Sequence, residues 1–240
     1  TPIFGTYYAP YSESFMPLPD GSGLIHKDYR DLLVHNHLAA LEEVFAFQQG
    51  LRLEKPGLGH RERIRIELPY PGTKVVLYLK RYGKPSLGQT LRRWVSGKRN
   101  TTAADSDFYA AMQLAEHGIP VPRPVAVGRQ RNRLGERRSF VLMEELPQGE
   151  ALERLLPLRQ EKKAEYALLR EERTLIEQAA GLVRRLHECG FYHRDLYLSH
   201  MFLCRAASGG EKLCLIDLQR VIQPCLFRRR WQVKDLAQLY

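Results

Sequence analysis

The sequence has no uninterrupted apolar run near the roughly 18 residues that cross a bilayer, which excludes a membrane-spanning helix. Its first residues, Thr1-Pro2-Ile3-Phe4, show no basic stretch followed by an apolar one, so no secretory signal is visible. It lacks an initiator Met and stops inside an apolar-periodic stretch, Leu236-Ala237-Gln238-Leu239-Tyr240, so it reads as a piece of a longer chain. Cysteine is scarce. Cys189, Cys204, Cys214 and Cys225 form no CxxC pair and lie in or beside apolar segments, which predicts buried reduced thiols rather than zinc or disulfides. His26, His35, His37, His60, His117 and His187 show no spacing that converges on a metal. Internal repeats and low-complexity tracts are also absent. What remains is 44% hydrophobic, too apolar for a disordered chain and long enough for one large domain or two lobes.

Acidic residues are missing from a long stretch. No Asp or Glu stands between Glu67 and Asp105, while Lys74, Lys80, Arg81, Lys84, Arg92, Arg93, Lys98 and Arg99 do. Arg129, Arg131, Arg133, Arg137 and Arg138 form a second basic cluster, and Arg228-Arg229-Arg230 a third. With a net charge of +10, these clusters are either solvated surface or a pull on an anionic partner. Charge alone does not choose among glycolipid, anionic membrane, nucleic acid and acidic protein.

Residues 1–23 carry Pro, Gly, Ser and Tyr without a steady period and read as an irregular arm. A helix is expected within 28–48. Three strands follow as an antiparallel meander: Leu51 and Leu53, then Ile64, Ile66 and Leu68, then Val75 to Lys80, with turns at Pro56-Gly57-Leu58-Gly59 and Pro69-Tyr70-Pro71-Gly72. A helix is predicted over about Asp105–His117, with Asp105 or Ser106 near its N-cap and Gly118 as its stop. Strands at Val125–Val127 and Phe140–Met143, a short helix at Glu150–Leu156 and a strong helix at Glu172–Cys189 come next, then strands at Met201–Cys204 and Leu213–Ile216. This order predicts an α+β fold of two lobes: a β-rich N-lobe (51–143) and a helical C-lobe (144–240), after 1–50 as an arm and helix of uncertain role. A small ligand would bind in a cleft between them.

Three features carry chemistry. Lys80 ends an apolar strand, His193-Arg194-Asp195 follows a long helix and Gly190, and Asp217 follows the strand ending at Ile216. Phosphoryl transfer needs these residue types: a lysine for the phosphates, a carboxylate to take the acceptor proton, and a second carboxylate for Mg²⁺. Each alone is commonplace; in this order they point to a kinase.

The run from Gly190 to Leu203, with His193-Arg194-Asp195-Leu196-Tyr197-Leu198-Ser199-His200 at its centre, resembles the catalytic loop of the lipopolysaccharide core heptose kinases (the Kdo/WaaP kinase family). These have the protein-kinase fold. Leu215-Ile216-Asp217-Leu218-Gln219-Arg220 resembles the family's metal segment, and Arg230-Trp231-Gln232-Val233-Lys234-Asp235-Leu236 its downstream Lys-Asp-Leu element. The resemblance covers about Leu51 to Tyr240. It implies Asp195 as catalytic base, Asp217 as Mg²⁺ ligand and Lys80 as the ATP-phosphate lysine. It implies Met143, Glu144, Glu145 and Leu146 as the segment beneath adenine, Asp235 as a brace for the catalytic loop, and Arg194 as a neutraliser of nearby carboxylates.

The chain departs from protein kinases in several places. His200 stands where they have Asn, five positions after the catalytic Asp, and metal binding, phosphate binding and loop holding are all open to it. The glycine-rich loop is reduced to Gly57 and Gly59. The acid expected to pair with Lys80 falls on Asp107, with Glu116 as fallback; Asp107 as a plain N-terminal helix acid is the competing reading. The interval from Asp217 to Asp235 is too short for a phosphorylation-controlled activation loop.

The resemblance therefore implies an ATP- and Mg²⁺-dependent kinase of a heptose or related inner-core sugar hydroxyl. The acceptor would be lipid A–core glycolipid, at the cytoplasmic face of the inner membrane and on its anionic surface. A protein or small-molecule kinase of the same fold is the first alternative. The second is a pseudokinase or a nucleic-acid or anion binder, with nucleic acid disfavoured. A small acidic partner such as an acyl carrier protein fits the basic charge.

Overall fold

The computed structural model describes residues 13–53, 61–86, 88, 90, 95, 101–132, 135–146, 149–161, 166–205 and 210–239. They divide into two compact units, Thr1–Met112 with Arg123–Glu145, and Gln113–Pro122 with Leu146–Tyr240.

The first unit is built on an antiparallel sheet in the order β1-β2-β6-β7-β5-β4-β3. Its strands are β1 (Phe15–Pro17), β2 (Gly23–His26), β3 (Leu51–Arg52), β4 (Arg61–Tyr70), β5 (Thr73–Tyr82), β6 (Pro124–Asn132) and β7 (Gly135–Glu144). β4 and β5 pair from Arg61↔Tyr82 to Tyr70↔Thr73 around Pro71 and Gly72. Proline presets one turn torsion, and Gly72 takes φ +79, which a Cβ would oppose. The period of two sends Ile64, Ile66, Leu68, Leu77 and Leu79 to one face, where they are buried. Lys80 and Tyr82 therefore lie on the other.

The segment read as an irregular arm is, from residue 13, part of this unit. β1 and β2 extend the sheet, and Leu18, Ile25, Leu33, Leu38 and Val44 join the core of Ile64, Ile66, Leu77, Leu79, Phe140 and Leu142. Two short helices, α1 (Arg30–His35) and α2 (Leu41–Ala46), carry much of this apolar cover. No steady period marks residues 13–26 because their apolar residues come from two strands of three and four residues with a turn between them. Glycine supplies the close approach: a Cβ on Gly23 would fall 1.8 Å from the Val127 carbonyl oxygen on β6.

Helix α3 (Ala103–Glu116) starts two residues earlier than expected. Its cap is Thr102, not Asp105 or Ser106. The Asp105 amide donates to Thr102 Oγ1 at 3.1 Å, and the Thr102 amide donates to Asp105 Oδ2 at 2.8 Å, a capping box that the Thr-x-x-Asp spacing encodes. At the other end, Gly118 at φ +68 donates to Ala115 and Ile119 donates to Leu114, closing a Schellman motif. The unit boundary falls inside α3, between Met112 and Gln113, and again after Glu145 rather than after Met143. Glu144 and Glu145 stay with the sheet because their amides donate to the Arg123 and Val76 carbonyls.

The second unit holds a small sheet, β10-β9-β8, made of β8 (Glu150–Ala151), β9 (Met201–Arg205) and β10 (Glu211–Leu215). Around it lie α4 (Leu152–Glu161), α5 (Tyr166–Glu188) and α6 (Arg228–Ala237). Leu175, Leu182, Val183 and Leu186 place the buried stripe of α5 at helical spacing, while Ile176 is exposed. Cys204 and Cys214 are buried, but Cys225 is exposed, against the expectation from its apolar neighbours. Among the described residues no helix is long and apolar enough to cross a membrane.

Candidate active site

The residues singled out in the sequence occur in both units. In the first, β5 delivers Lys80 and α3 delivers Asp107. Lys80 Nζ lies 2.5 Å from Asp107 Oδ2, with the aspartate side chain wholly buried and the lysine 15% exposed. Tyr82, two residues along the same face of β5, donates its hydroxyl to the same oxygen at 3.4 Å. The shorter acid thus reaches the lysine from a buried position on α3. Glu116, the fallback acid, falls in the second unit.

The segment Met143–Leu146 ends β7 and opens the second unit. Met143 is buried, and burial raises the Glu144 carboxyl above its ordinary value. Glu145 is clamped by Arg65 of β4, with Nε–Oε1 at 2.6 Å and Nη2–Oε2 at 3.1 Å, a two-point carboxylate grip. Nothing in the sequence spacing announced that clamp. Gly57 and Gly59 lie outside the described residues.

In the second unit, α5 ends in another Schellman motif. Gly190 at φ +79 donates to His187 and Phe191 donates to Leu186, which turns the chain into the loop that carries His193, Arg194 and Asp195. Asp235 on α6 is fully buried beneath that loop. It accepts the His193 amide at 2.9 Å and the Arg194 amide at 2.7 Å, with His187 Nε2 at 3.1 Å. The brace implied by the resemblance is present in the structure. Arg194 is held at φ +70, and its guanidinium lies over the Trp231 ring at 5.0 Å. Burial lowers the tendency of that guanidinium to hold its proton, with Arg220 adding to the effect.

The cation in contact with Asp195 is Arg220: Nη1 lies 2.6 Å from Oδ1. In the sequence Arg220 stands out only as part of the segment that resembles the family's metal segment, because a contact over 25 positions leaves no local trace. Asp217 follows β10 at φ +60, ψ +53, a left-handed conformation that aspartate tolerates better than most residues. Left-handed residues at both 194 and 217 mark a place where the backbone is held against its preference.

His200 links the two acids. Its Nδ1 lies 2.8 Å from the Asp195 carbonyl oxygen, an acceptor only, so Nδ1 carries the proton. Its Nε2 lies 3.7 Å from Asp217 Oδ2. That separation is too long for a hydrogen bond and suits two ligands of one divalent cation. Orientation of a ring by a carbonyl at its far nitrogen is the usual support of a metal histidine. Among the described residues no group of three or more His, Cys, Asp or Glu could hold a metal. A two-donor site matches a cation that takes its remaining ligands from phosphate and water.

The lipopolysaccharide kinase (Kdo/WaaP) family model matches residues 73–240. The chain is 29% identical to the lipopolysaccharide core heptose(I) kinase WaaP of Escherichia coli K12 over 170 residues, 68% of this chain and 62% of that protein. It is 29% identical to the WaaP of Pseudomonas aeruginosa PAO1 over 156 residues, 64% and 57% of the two chains. A 3-deoxy-D-manno-octulosonic acid kinase of Haemophilus influenzae PittEE is 29% identical over 140 residues, 58% and 53%. The chain thus spans about three fifths of the length of the curated relatives it matches. A solved structure, WaaP in complex with acyl carrier protein, superposes with a TM-score of 0.61 and 26% identity over 83% of this chain and 72% of that one. The fold is the α+β, kinase-like one expected, and the chain belongs to the lipopolysaccharide kinase (Kdo/WaaP) family.

Proposed function

We propose that this chain carries the catalytic machinery of an ATP-dependent sugar kinase of lipopolysaccharide, acting on a heptose or related inner-core sugar of lipid A–core glycolipid. The observation that supports this most is the braced loop of the second unit, where Asp235 fixes His193 and Arg194 and His200 connects Asp195 to Asp217.

In this reading Asp195 orients the acceptor hydroxyl and takes its proton. Lys80, held by Asp107, binds the ATP phosphates, and Met143–Leu146 lies beneath adenine. Asp217 and His200 would hold Mg²⁺, which when bound neutralises charge on the phosphates. The basic clusters hold the anionic glycolipid at the cytoplasmic face of the inner membrane. An acidic acyl carrier protein is a fitting partner for the +10 chain, since the solved WaaP structure is of such a complex.

The test is transfer of γ-phosphate label from ATP to core glycolipid by purified protein. The expected result is labelled glycolipid with wild type and none with Asp195→Ala. No labelled glycolipid, with label on a protein acceptor instead, would replace this reading with a protein kinase. Identical behaviour of wild type and Asp195→Ala would end the enzymatic reading.

A further inference from the structure

Around Asp195, positive charge exceeds what the local acids can answer. Arg194, Arg220 and Lys234 gather there, and Arg230 lies one helical turn before Lys234 on α6. Arg194 and Arg230 hold their guanidinium groups over the Trp231 ring, at 5.0 and 5.5 Å. The acids of the group are Asp195 and Asp235. Asp235 is taken up beneath the loop by two backbone amides and His187. Asp195 therefore stands alone against the cations, and Arg220 grips it.

Lys234 has no ion pair among the described residues; its ammonium donates to the Arg194 carbonyl at 2.8 Å, which uses one of three N–H donors. Burial first, then the charges of Arg220 and Arg194, push its ammonium below its ordinary value. A lysine in that position gains from any anion that arrives. Arg220 is 46% exposed, so its pair with Asp195 is half in solvent and contributes little stability. A phosphate or carboxylate offers the same fork of oxygens with less competition.

We infer that Arg220 and Lys234 form a binding site for an anionic substituent, phosphate or carboxylate, that the acceptor carries close to its reactive hydroxyl, and that Arg220 reaches it by leaving Asp195. The inference rests on the reading of Asp195 as the base. While Arg220 holds Oδ1, that oxygen is occupied. An arriving anion draws Arg220 away and frees Oδ1 for the hydroxyl beside it. The acceptor thus helps to unmask its own base, and a neutral sugar leaves the grip in place. Arg220 touches the acceptor and sets its specificity, while Lys234 adds charge to the same site.

The test compares wild type, Arg220→Gln, Arg220→Lys and Lys234→Gln on three acceptors: intact core glycolipid, the same glycolipid dephosphorylated, and the same glycolipid with its carboxylates reduced. On intact acceptor, Arg220→Gln is expected to raise the acceptor KM about ten- to hundredfold, the worth of a charged hydrogen bond, with the ATP KM unchanged. Arg220→Lys recovers part of it. The penalty disappears on whichever acceptor lacks the recognised anion, which tells phosphate from carboxylate. A fall in kcat alone, or an equal penalty on all three acceptors, overturns the inference and leaves Arg220 as a positioning residue for Asp195. Absence of turnover on every acceptor defeats the kinase reading instead. The anion site is then read by NMR titration of inorganic phosphate into Lys80→Met protein, whose nucleotide site is disabled. Shifts at Arg220 and Lys234 that Arg220→Gln abolishes support it, and unchanged binding in Arg220→Gln overturns it.

Discussion

His200 Nδ1 donates to the backbone carbonyl of Asp195 at 2.8 Å, so the ring of the histidine that stands where protein kinases have asparagine is oriented by the loop it follows. Its Nε2 faces Asp217 Oδ2 at 3.7 Å as a nitrogen donor. Nitrogen ligands favour Mn²⁺ over Mg²⁺ more than amide oxygens do. Activity is therefore expected at lower Mn²⁺ than Mg²⁺ concentration. His200→Asn should shrink that preference, and His200→Ala should weaken metal activation about 10- to 100-fold. Metal titrations of the initial rate check this, and an unchanged Mn²⁺/Mg²⁺ ratio in His200→Asn would remove His200 from the metal.

Lys80 and Asp107 form a pair in which the acid is wholly buried. Lys80→Met leaves that carboxylate without its ammonium, at a cost of about 3–5 kcal/mol. Asp107→Asn added to Lys80→Met is expected to restore most of the stability and none of the activity. Thermal melts and label transfer separate the two effects. A double variant no more stable than Lys80→Met would show that the charge of Asp107 is answered elsewhere.

The elements that were legible are those whose evidence is local. Ile64, Ile66 and Leu68 alternate, Leu182, Val183 and Leu186 keep helical spacing, and Gly118 and Gly190 stop helices where glycine alone takes a positive φ at no cost. The Thr102–Asp105 box is equally local, a Thr-x-x-Asp spacing in which Asp105 is the acid three residues after the cap and not the cap itself. In the cover over the sheet the helical stretch within 28–48 is legible, and α1 and α2 stand there, whereas β1 and β2 are short pieces without a period and are not. Neither were Arg65 on Glu145, 80 positions away, nor Arg220 on Asp195. An ion pair across the chain depends on the fold and has no spacing rule.

Burial holds the His193 imidazole below its ordinary pKa near 6.5. Burial, helped by Arg123, does the same for His26. Both are more basic in the unfolded chain, so the unfolded state binds more protons once the pH falls below about 6.5. Their contribution is complete above that value and declines below it, by at most about 1.4 kcal/mol per pH unit for each group. Melting temperature is thus expected to fall between pH 6.5 and 5. His26→Gln should flatten the decline, because a protonated His26 would face the Arg123 guanidinium 3.1 Å away. Parallel profiles for wild type and His26→Gln would show that His26 is not part of it.

Asp235 is a different kind of residue, buried and acting only through the loop it supports. It accepts two backbone amides with charged oxygens, and an asparagine in its place turns one acceptor into a donor that opposes an N–H. Asp235→Asn is expected to cost about 2–4 kcal/mol, in the range for a broken buried charged contact. The loop must loosen before the whole unit melts, so activity should fall about a hundredfold at temperatures where the protein remains folded. Hydrogen exchange at the His193 and Arg194 amides distinguishes the cause. Both should exchange much faster in Asp235→Asn while the amides of β9 and β10 stay protected. Equal acceleration everywhere would mean that Asp235 supports the unit as a whole rather than the loop that carries Asp195.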